Sequence, residues 1–445
     1  MKRAEIEIVG GAGEIATAPP DPIRVGAGTA FWVGGTLEAA TDPAGVRIRA
    51  RGLEFPLDAD SMPEERSYDR GALWWSLLTV PGSSEPAAAD PPSPEPAAGS
   101  APIAICMATY EPEPGRLRTQ LDSIRAQTRT DWVCVISDDC SSSEAFATLE
   151  RAVGGDPRFV VDRSPERLGF LRNFERAICL APSSASLIAL ADQDDCWHPD
   201  KLEVLASALD ASPGSLLAYS DVRIADAGGR VLSDTYFFER RNNFRSMASM
   251  LITNNVTGAA SMFRRELLAV ALPFPPGGTG QELYHDHWLA LCAMATAPLA
   301  YVDRPTHDYV RHGESVTVSE AEGHWVAPPK GPLGAVAMRA RRAARRFRLA
   351  ARSPGWRSAY VGRYMLILQL GTILRLRLGA RILPEHRRDI DRLMVAESSP
   401  RAALWLLARS FRPWIGRNDT LSRERVVFGG IIWRKLAGRR ASHKR

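Results

Sequence analysis

A short apolar run that ends in closely spaced aspartates constrains the fold of this chain more than any other stretch. Residues 187–191 are Leu-Ile-Ala-Leu-Ala, and four polar residues follow directly: Asp192, Gln193, Asp194 and Asp195. The run predicts a buried strand of a parallel sheet, and residues 199–202 predict that a helix begins soon after it. In open α/β sheets, ligands bind beyond the carboxyl ends of the strands. The sequence therefore predicts a ligand site at this strand end.

The carboxylates at this strand end would repel one another unless they share a cation. Mg²⁺ and Mn²⁺ suit them, because both are hard ions that prefer oxygen ligands and often share them with substrate phosphates. A solvated acidic turn, followed by a helix that Asp200 caps, is the alternative that this stretch alone leaves open.

Length and composition set broad limits on the class of protein. The 445 residues are enough for two or three domains, and a hydrophobic fraction of 45% allows a large core. The first residues lack the pattern of a signal peptide, and no stretch has eighteen uncharged apolar residues. The six cysteines show no CxxC spacing, so reduced structural thiols are expected. Together these features predict a cytoplasmic protein.

The first hundred residues differ in pattern from the rest of the chain. Residues 1–80 alternate apolar and polar positions in period two, with Gly, Pro and Asp clusters between the runs. This pattern predicts a small all-β domain of sandwich type. Residues 81–102 are rich in Pro, Ala, Ser and Glu, which predicts an extended, semi-rigid linker and a domain boundary.

From residue 103 the pattern changes to strands that alternate with helices. Strands are predicted at 103–108, 132–136, 159–161 and 187–191, each followed by a helical segment. Repeated βα units predict a mostly parallel sheet with right-handed crossovers. Two strand ends are acidic, one at Asp138-Asp139 and one at 192–195. The presence of two acidic strand ends in one sheet suggests a nucleotide site with a metal ion.

Four motifs in this order resemble those of family-2 glycosyltransferases with the GT-A fold. The resemblance covers roughly residues 103–318, nearly half of the chain. Residues 108–111 resemble the motif PTYN, with Glu111 in place of Asn, and residues 137–141 resemble VDDGS, with Cys140 in place of Gly. Residues 168–173 resemble the motif N-x-G…x-R-N, with Arg167 in place of the first Asn. Residues 192–202 resemble DxDDxWxPxKL. Residues 285–291 and 308–315 resemble segments of the rhamnosyltransferase-like subgroup, although Ser315 replaces an Asn of the second segment.

The resemblance implies a nucleotide site on the first two strand ends. Thr109, Tyr110, Glu111 and Asp139 would hold the base and ribose, and Asp138 would do the same or buttress the turn. An Asp can accept the N3–H of uracil or thymine, which selects pyrimidine nucleotides because a buried acceptor without its donor is penalised. Arg172 is a candidate donor to the diphosphate, with a solvated helix residue as the alternative.

The same resemblance implies a metal site and a catalytic base. Asp192 and Asp194 would bind Mn²⁺ or Mg²⁺, which stabilises the leaving diphosphate, and Asp195 would lie beside the donor sugar. Asp286 would deprotonate the acceptor hydroxyl during an inverting transfer. Without the resemblance, Asp286 would be interpreted as a helix N-cap. Late in the domain, Arg311 and His312 are candidates to close over the diphosphate.

The last quarter of the chain is basic and contributes much of the net charge of +5. Six arginines lie within residues 339–348, and Leu-rich segments with interspersed arginines follow at 360–383 and 402–415. Basic amphipathic helices with Trp and Leu are typical of surfaces bound to anionic lipid. A helical region that packs on the preceding domain is the alternative, and both stay open. Nucleic acid is not expected as a partner, because no recognition motif accompanies the arginines.

The resulting prediction is an α/β protein of four parts. They are an all-β domain at 1–80, a linker at 81–102, a GT-A, Rossmann-like transferase domain at 103–325, and a basic amphipathic helical region at 326–445. The expected function is transfer of a sugar from a nucleotide-diphosphate donor, such as dTDP-rhamnose or a UDP-sugar. The expected acceptor is a cell-surface polysaccharide or lipid-linked glycan, handled at the inner face of the plasma membrane. A non-catalytic glycan- or nucleotide-binding protein on the same fold is the alternative. A nucleotidyltransferase is disfavoured, since residues 109–116 lack a Gly-rich basic loop.

Overall fold

The computed structural model describes residues 103–226, 228–238, 241–242, 244–275, 283–311 and 356–442, together with seven strands between residues 6 and 81. The strands are β1 (Ile6–Val9), β2 (Gly13–Thr17), β3 (Ile23–Val25), β4 (Gly28–Leu37), β5 (Arg47–Ala50), β6 (Leu53–Pro56), β7 (Ala72–Pro81), β8 (Ile103–Thr109), β9 (Trp132–Asp138), β10 (Phe159–Arg163), β11 (Leu187–Ala191), β12 (Cys196–Trp197), β13 (Leu217–Asp226), β14 (Val231–Ser233), β15 (Ser261–Arg264) and β16 (Ala300–Arg311). The helices are α1 (Pro114–Arg125), α2 (Ser143–Val153), α3 (Phe170–Leu180), α4 (Lys201–Asp210), α5 (Met247–Ile252), α6 (Leu268–Ala271), α7 (His285–Thr296), α8 (Trp356–Leu378), α9 (Pro384–Met394), α10 (Pro400–Arg409) and α11 (Arg423–Ser442).

The seven N-terminal strands form two antiparallel sheets. One has the order β1-β5-β6, and in the other β2, β3 and β7 all pair with β4. Strands were expected here from the period-two pattern. The prediction that residues 1–80 are a separate domain stays a prediction, and the linker at 82–102 lies outside the described residues.

A nine-stranded sheet, with the order β10-β9-β8-β11-β15-β13-β16-β12 and β14 beside β13, forms the centre of the following region. Strands β10, β9, β8 and β11 are parallel, as the repeated βα pattern predicts. The sheet beyond them is mixed, because β15 runs antiparallel between β11 and β13. The predicted α/β class is confirmed. The expectation of a mostly parallel sheet holds for β8 to β11, and beyond them, among the described strands, only β13 and β16 are parallel neighbours.

The sheet is covered on both faces because its central strands carry apolar side chains on both sides. In β8, Ala104 and Cys106 pack into one core together with α3 and α7, whereas Ile103, Ile105 and Met107 pack into a second core with α1, α2 and α4. This burial explains the continuous hydrophobic runs that predicted the strands. It also leaves the carboxyl ends of β8, β9 and β11 together at one edge of the sheet.

Helix α8 is a component of the first core rather than an appendage. Tyr360, Tyr364, Ile367 and Leu370 are at most 1% exposed, and they belong to the same apolar cluster as Trp288 of α7. Helix α9 also packs on α5 and α8. The alternative in which the helical region packs on the preceding domain is therefore confirmed for these helices.

Several arginines that the sequence assigns to a lipid surface have partners inside the protein. Arg363 donates to the carbonyl of Ile252 at 3.1 Å, and Arg377 donates to the carbonyls of Val270 and Pro273 at 2.9 and 2.7 Å. These arginines satisfy backbone acceptors of the preceding α/β region, so they are unsuited to contact lipid. The cluster at 339–348 lies outside the described residues. In the part of the chain that is described, no helix is long and apolar enough to cross a bilayer.

Candidate active site

The first two strand ends are joined through the buried carboxylate of Asp138. Its Oδ1 accepts hydrogen bonds from the hydroxyls of Ser141 and Thr109 at 2.6 and 3.2 Å, and its Oδ2 accepts from the Ser141 N–H at 2.9 Å. Asp138 is fully buried, and the guanidinium of Arg163 lies 3.8 Å away. These contacts fit the buttressing alternative for Asp138.

Asp139 holds the start of the segment that leads into α3. Its two carboxylate oxygens accept the N–H groups of Leu168 and Gly169 at 2.6 and 3.0 Å. Each oxygen has further lone pairs, so this placement leaves room for one more donor. The next residue, Cys140, has φ of 60°, a conformation that usually favours glycine and that matches the Gly expected at this position. The turn geometry is thus kept although the residue differs.

A pair of hydrogen bonds ties the first strand end to the acidic segment. The Tyr110 N–H donates to Gln193 Oε1 at 2.9 Å, and Gln193 Nε2 donates back to the Tyr110 carbonyl at 3.1 Å. The guanidinium of Arg167 lies 3.9 Å from the centre of the half-exposed Tyr110 ring. Glu111 accepts the N–H and hydroxyl of Ser142 at 2.5 and 3.0 Å. Thr109, Tyr110 and Glu111 therefore border the same edge as Asp138 and Asp139.

Two residues of helix α3 differ in where their contacts lie: Asn173 connects the strand ends, whereas Arg172 makes its contacts away from them. The amide of Asn173 donates to the carbonyls of Ser137 and Thr109 at 2.9 and 3.2 Å, which links β9 to β8. Arg172 instead forms an ion pair with Glu175 and donates to the Phe274 carbonyl at 3.1 Å. No contact of Arg172 in the described residues supports its predicted diphosphate role, which stays a prediction.

The acidic segment is placed at the carboxyl end of β11, next to the first strand end. Burial, followed by the charges of Asp194 and Asp286, raises the pKa of Asp192 to about 7. Burial and the charges of Asp192 and Asp194 raise the pKa of Asp195 well above its usual range. Asp195 is 1% exposed, and the Val310 N–H acts to lower its pKa. Within the described residues, however, neither of its oxygens has a hydrogen bond of normal geometry. Asp192, Asp194 and Asp195 thus concentrate negative charge that contacts among the described residues do not fully neutralise.

A buried lysine offsets part of this charge. Lys201, at the start of α4, is fully buried, and its charge acts against the raised pKa values of both Asp192 and Asp195. Its ammonium lies 3.5 Å from the centre of the Trp197 ring and donates to the Ala259 carbonyl. The ring of buried His307 approaches Asp195 at 3.5 Å, but burial lowers the pKa of His307 and favours its neutral form. Burial lowers the pKa of Lys201 well below its usual value, whereas the charges of Asp195 and Asp192 act in the opposite direction. This lysine therefore faces more than one carboxylate.

Asp286 lies in the first turn of α7, where its carboxylate is held by backbone groups. Its Oδ1 accepts the His287 N–H at 2.6 Å, and its Oδ2 accepts the Gly258 N–H at 3.1 Å. Burial raises its pKa to about 6, although these N–H groups act in the opposite direction. The helix begins at His285 with Tyr284 as the N-cap, so Asp286 is not the capping residue. Through the Gly258 N–H it adjoins the turn whose Ala259 carbonyl accepts from Lys201, next to the acidic segment.

The two histidines beside Asp286 are buried and neutral. Burial lowers the pKa of His285 to about 3, and its ring stacks on Phe174 with the centroids 3.7 Å apart. Burial lowers the pKa of His287 to about 4, and its Nε2 lies 2.7 Å from the Met250 carbonyl. Neither is a surface histidine, so both position the start of α7. Gly258 is required beside them, because a Cβ there would lie 2.6 Å from His285 Nε2.

The residues at this edge fit a divalent cation. Raised carboxylate pKa values and an unsatisfied Asp195 indicate a negative site that a cation would stabilise. Among the described residues, no group of three or more His, Cys, Asp or Glu side chains is arranged to hold a metal alone. An ion at Asp192 and Asp194 would therefore need substrate phosphate oxygens or water to complete its ligands.

Two predicted residues cannot be judged from side-chain contacts. Arg311 is the last residue of β16 and pairs with Asp226 in the sheet, but its side chain is outside the description. His312 lies outside the described residues altogether. The sequence missed Gln193, Lys201 and Asn173. Lys201 could have been noticed, because it belongs to the acidic motif at 192–202.

Two curated proteins match part of this chain. An uncharacterized protein y4gI of Sinorhizobium fredii is 31% identical over 131 residues, which cover 29% of this chain and 14% of that protein. An uncharacterized glycosyltransferase MJ1057 of Methanocaldococcus jannaschii is 22% identical over 192 residues, which cover 43% of this chain and 64% of that protein. The chain thus spans less than two thirds of either relative.

Among solved structures, S. aureus TarS 1-349 in complex with UDP-GlcNAc aligns with a TM-score of 0.42 and 13% identity, covering 75% of this chain and 92% of that chain. The mannosyltransferase PcManGT from Pyrobaculum calidifontis, in complex with GDP-Man and Mn²⁺, aligns with a TM-score of 0.37 and 16% identity, covering 75% and 88%. The family model that matches is described as Glycosyl transferase family 2, and it covers both acidic strand ends but stops before Asp286. Residues 104–270 of this chain are therefore similar to the domain that this family model describes.

Proposed function

We propose that the chain is an inverting glycosyltransferase that takes a sugar from a nucleotide-diphosphate donor. One observation carries the proposal. The turn at 258–260 links Asp286, through the Gly258 N–H, to Lys201 beside the acidic end of β11, through the Ala259 carbonyl, although Asp286 is 91 residues beyond Asp195 in the sequence. An inverting transfer needs a carboxylate base on one side of the sugar and a diphosphate-binding group on the other. Asp286 and the aspartates at 192–195 are our candidates for these two groups.

The donor nucleotide would lie across the ends of β8 and β9. Asp139, already held by two N–H groups, is the candidate acceptor for a pyrimidine N3–H. The Tyr110 ring with Arg167 above it offers a flat cationic surface at the same edge, suited to a nucleotide. We therefore propose a UDP- or dTDP-linked sugar, with dTDP-rhamnose as the first candidate from the subgroup resemblance.

Asp192 and Asp194 would hold Mg²⁺ or Mn²⁺ against the diphosphate. When bound, such an ion supplies charge stabilisation for the departing nucleoside diphosphate. The chain's own residues do the rest. Gln193 fixes the acidic segment to Tyr110, and Lys201 fixes the start of α4 to the turn at Ala259. Asp195, unsatisfied and buried, is the candidate contact for the donor sugar.

Asp286 would accept the proton of the acceptor hydroxyl. Its pKa of about 6 leaves it mostly ionised at neutral pH while it remains a stronger base than an ordinary aspartate. The N–H groups of Gly258 and His287 fix its orientation. A cell-surface polysaccharide or a lipid-linked glycan is the proposed acceptor.

Nucleotide binding measured by calorimetry tests this proposal. UDP, dTDP and GDP should be titrated into the wild type with Mn²⁺ and with EDTA, and into the Asp194→Ala variant. We expect a pyrimidine diphosphate to bind, and the affinity to fall about tenfold or more with EDTA or the variant. The exposed Asp303 provides a matched control, Asp303→Ala, which should bind as the wild type does. Absence of binding by all three nucleotides would overturn the proposal.

A further inference from the structure

A ridge of large apolar side chains projects from the C-terminal helices. Leu404, Phe411, Trp414 and Ile415 are 63%, 47%, 75% and 74% exposed, and we call these four residues the apolar ridge. Leu404 lies two helical turns before Phe411, and the rings of Phe411 and Trp414 are in edge contact with centroids 5.4 Å apart. Trp and Ile side chains that are three-quarters exposed next to each other are costly in water, which indicates that a partner covers them.

Contacts with the rest of the protein hold the backbone of the apolar ridge in place. Arg412 forms an ion pair with the buried Asp419 at 2.8 Å, and its carbonyl accepts the Arg417 N–H at 2.8 Å. Arg425 of α11 donates from Nε to the Ser410 carbonyl at 3.1 Å. Gly416, with φ of 76°, closes the turn after Ile415. Trp414 and Ile415 therefore point outward, because the residues next to them in sequence make the contacts with the rest of the protein.

The surface around the ridge is cationic and lacks exposed carboxylates. Residues 400–435 contain eight Lys and Arg residues but only two acidic residues, Asp419 and Glu424. Both acidic residues are buried, at 2% and 1% exposure. Arg401 and Arg417, by contrast, are exposed on either side of the ridge. An incoming partner would therefore meet apolar groups and positive charge together.

We propose that the apolar ridge docks on a membrane surface that contains anionic phospholipid. Trp, Phe and Leu side chains favour the boundary between headgroups and acyl chains, and nearby arginines favour anionic headgroups. A second copy of the chain fits less well, because a stable dimer buries about 20–30 residues a side and the ridge has four large apolar ones. Two such cationic surfaces would also repel each other.

The ridge lies within 402–415, one of the two Leu-rich basic segments for which the sequence leaves a lipid surface open. The other segment, at 360–383, is less suited to that role, because Arg363 and Arg377 donate to carbonyls inside the protein. The proposal does not rest on the transferase function, because a vesicle experiment needs neither nucleotide nor acceptor. If both hold, the enzyme would work beside a lipid-linked acceptor.

Co-flotation of the purified full chain with lipid vesicles tests the proposal. Vesicles of phosphatidylcholine alone are compared with vesicles that also contain phosphatidylglycerol. We expect binding to the anionic vesicles, and a fall of roughly tenfold or more in the Trp414→Ser/Ile415→Ser variant. Arg417→Glu should weaken binding about fivefold or more, and added salt should weaken it further.

Matched controls come from the transferase region. Val231 and Arg230 are exposed on and beside β14, so Val231→Ser and Arg230→Glu should bind vesicles as the wild type does. Melting temperatures check that all variants are folded. Failure of the wild type to bind anionic vesicles, or equal binding by the double variant, overturns the proposal. A wild-type dimer that the double variant converts to monomer, measured by light scattering, also overturns it in favour of a second copy.

Discussion

Asp286 combines a raised pKa with a fixed orientation, two properties that an ordinary surface aspartate lacks. Burial raises its pKa to about 6, and two backbone N–H groups fix the direction of its oxygens. A carboxyl group with a raised pKa is protonated below that value, and a protonated Asp286 cannot accept the hydroxyl proton. With Mn²⁺ saturating, kcat/KM should therefore fall about tenfold per pH unit below about pH 6. A pH–rate profile checks this, and a flat profile across that range would exclude Asp286 as the base.

At the scale of single residues, the sequence predicts the acidic groups but not their partners. Asp192, Asp194 and Asp286 stand out because they follow apolar strands or precede an apolar helix. Lys201 reaches the Ala259 carbonyl, 58 residues away, and no local pattern predicts that contact. Arg172 shows the converse: its motif suggested a diphosphate ligand, and its contacts are with Glu175 and Phe274.

The turn at Gly258–Ala260 connects the two halves of the candidate site. Its first residue donates to Asp286, and its second accepts from Lys201 beside the acidic segment. A side chain at Gly258 would meet His285 at 2.6 Å and the Cβ of Asp286 at 3.2 Å. The turn therefore needs glycine for space rather than for backbone conformation.

Replacement of that glycine tests the role of the turn. Gly258→Ala should displace His285 and Asp286, lower kcat more than nucleotide affinity, and reduce the free energy of unfolding by about 1–3 kcal/mol. Gly214→Ala is the matched control, since a Cβ there meets nothing within 4 Å. Steady-state kinetics and chemical denaturation measure both effects. Wild-type activity in Gly258→Ala would show that the turn does not position the base.

The element scale also shows where prediction from sequence stops. Each βα unit from β8 to β11 was predicted nearly to its ends, because apolar periodicity is local. The insertion of β15 between β11 and β13 was not, because strand order depends on contacts between distant segments. A strand of four residues, Ser261–Arg264, carries too little pattern to be placed by itself.

Among the described residues, the first core reaches from the sheet into the C-terminal helices. Sequence alone left two alternatives for the basic helices, because buried and lipid-facing arginines look the same in a hydrophobic pattern. Whether an arginine is buried or faces lipid depends on which backbone carbonyls its guanidinium can reach. Arg377 donates to the carbonyls of Val270 and Pro273, which are about a hundred residues earlier in the sequence and lie beside α8 in space.

Removal of this arginine should therefore act on stability. Arg377→Leu leaves backbone acceptors unpaired, and the free energy of unfolding should fall by about 1–3 kcal/mol. Arg388→Leu, at an exposed position of α9, should change it by about 0.5 kcal/mol or less. Urea denaturation compares the two. Equal stabilities would mean that the arginines of α8 are dispensable for packing.

The central claim is that one site binds the nucleotide sugar and holds a separate base, and turnover of the donor tests it most directly. Nucleotide release from UDP- and dTDP-sugars should be measured with Mn²⁺ for the wild type and Asp286→Asn, alongside nucleotide affinity in the same preparations. We expect release by the wild type, and a loss of roughly a hundredfold or more in the variant with nucleotide affinity unchanged. Equal release by the two proteins, or no turnover and no nucleotide binding by the wild type, would contradict the account.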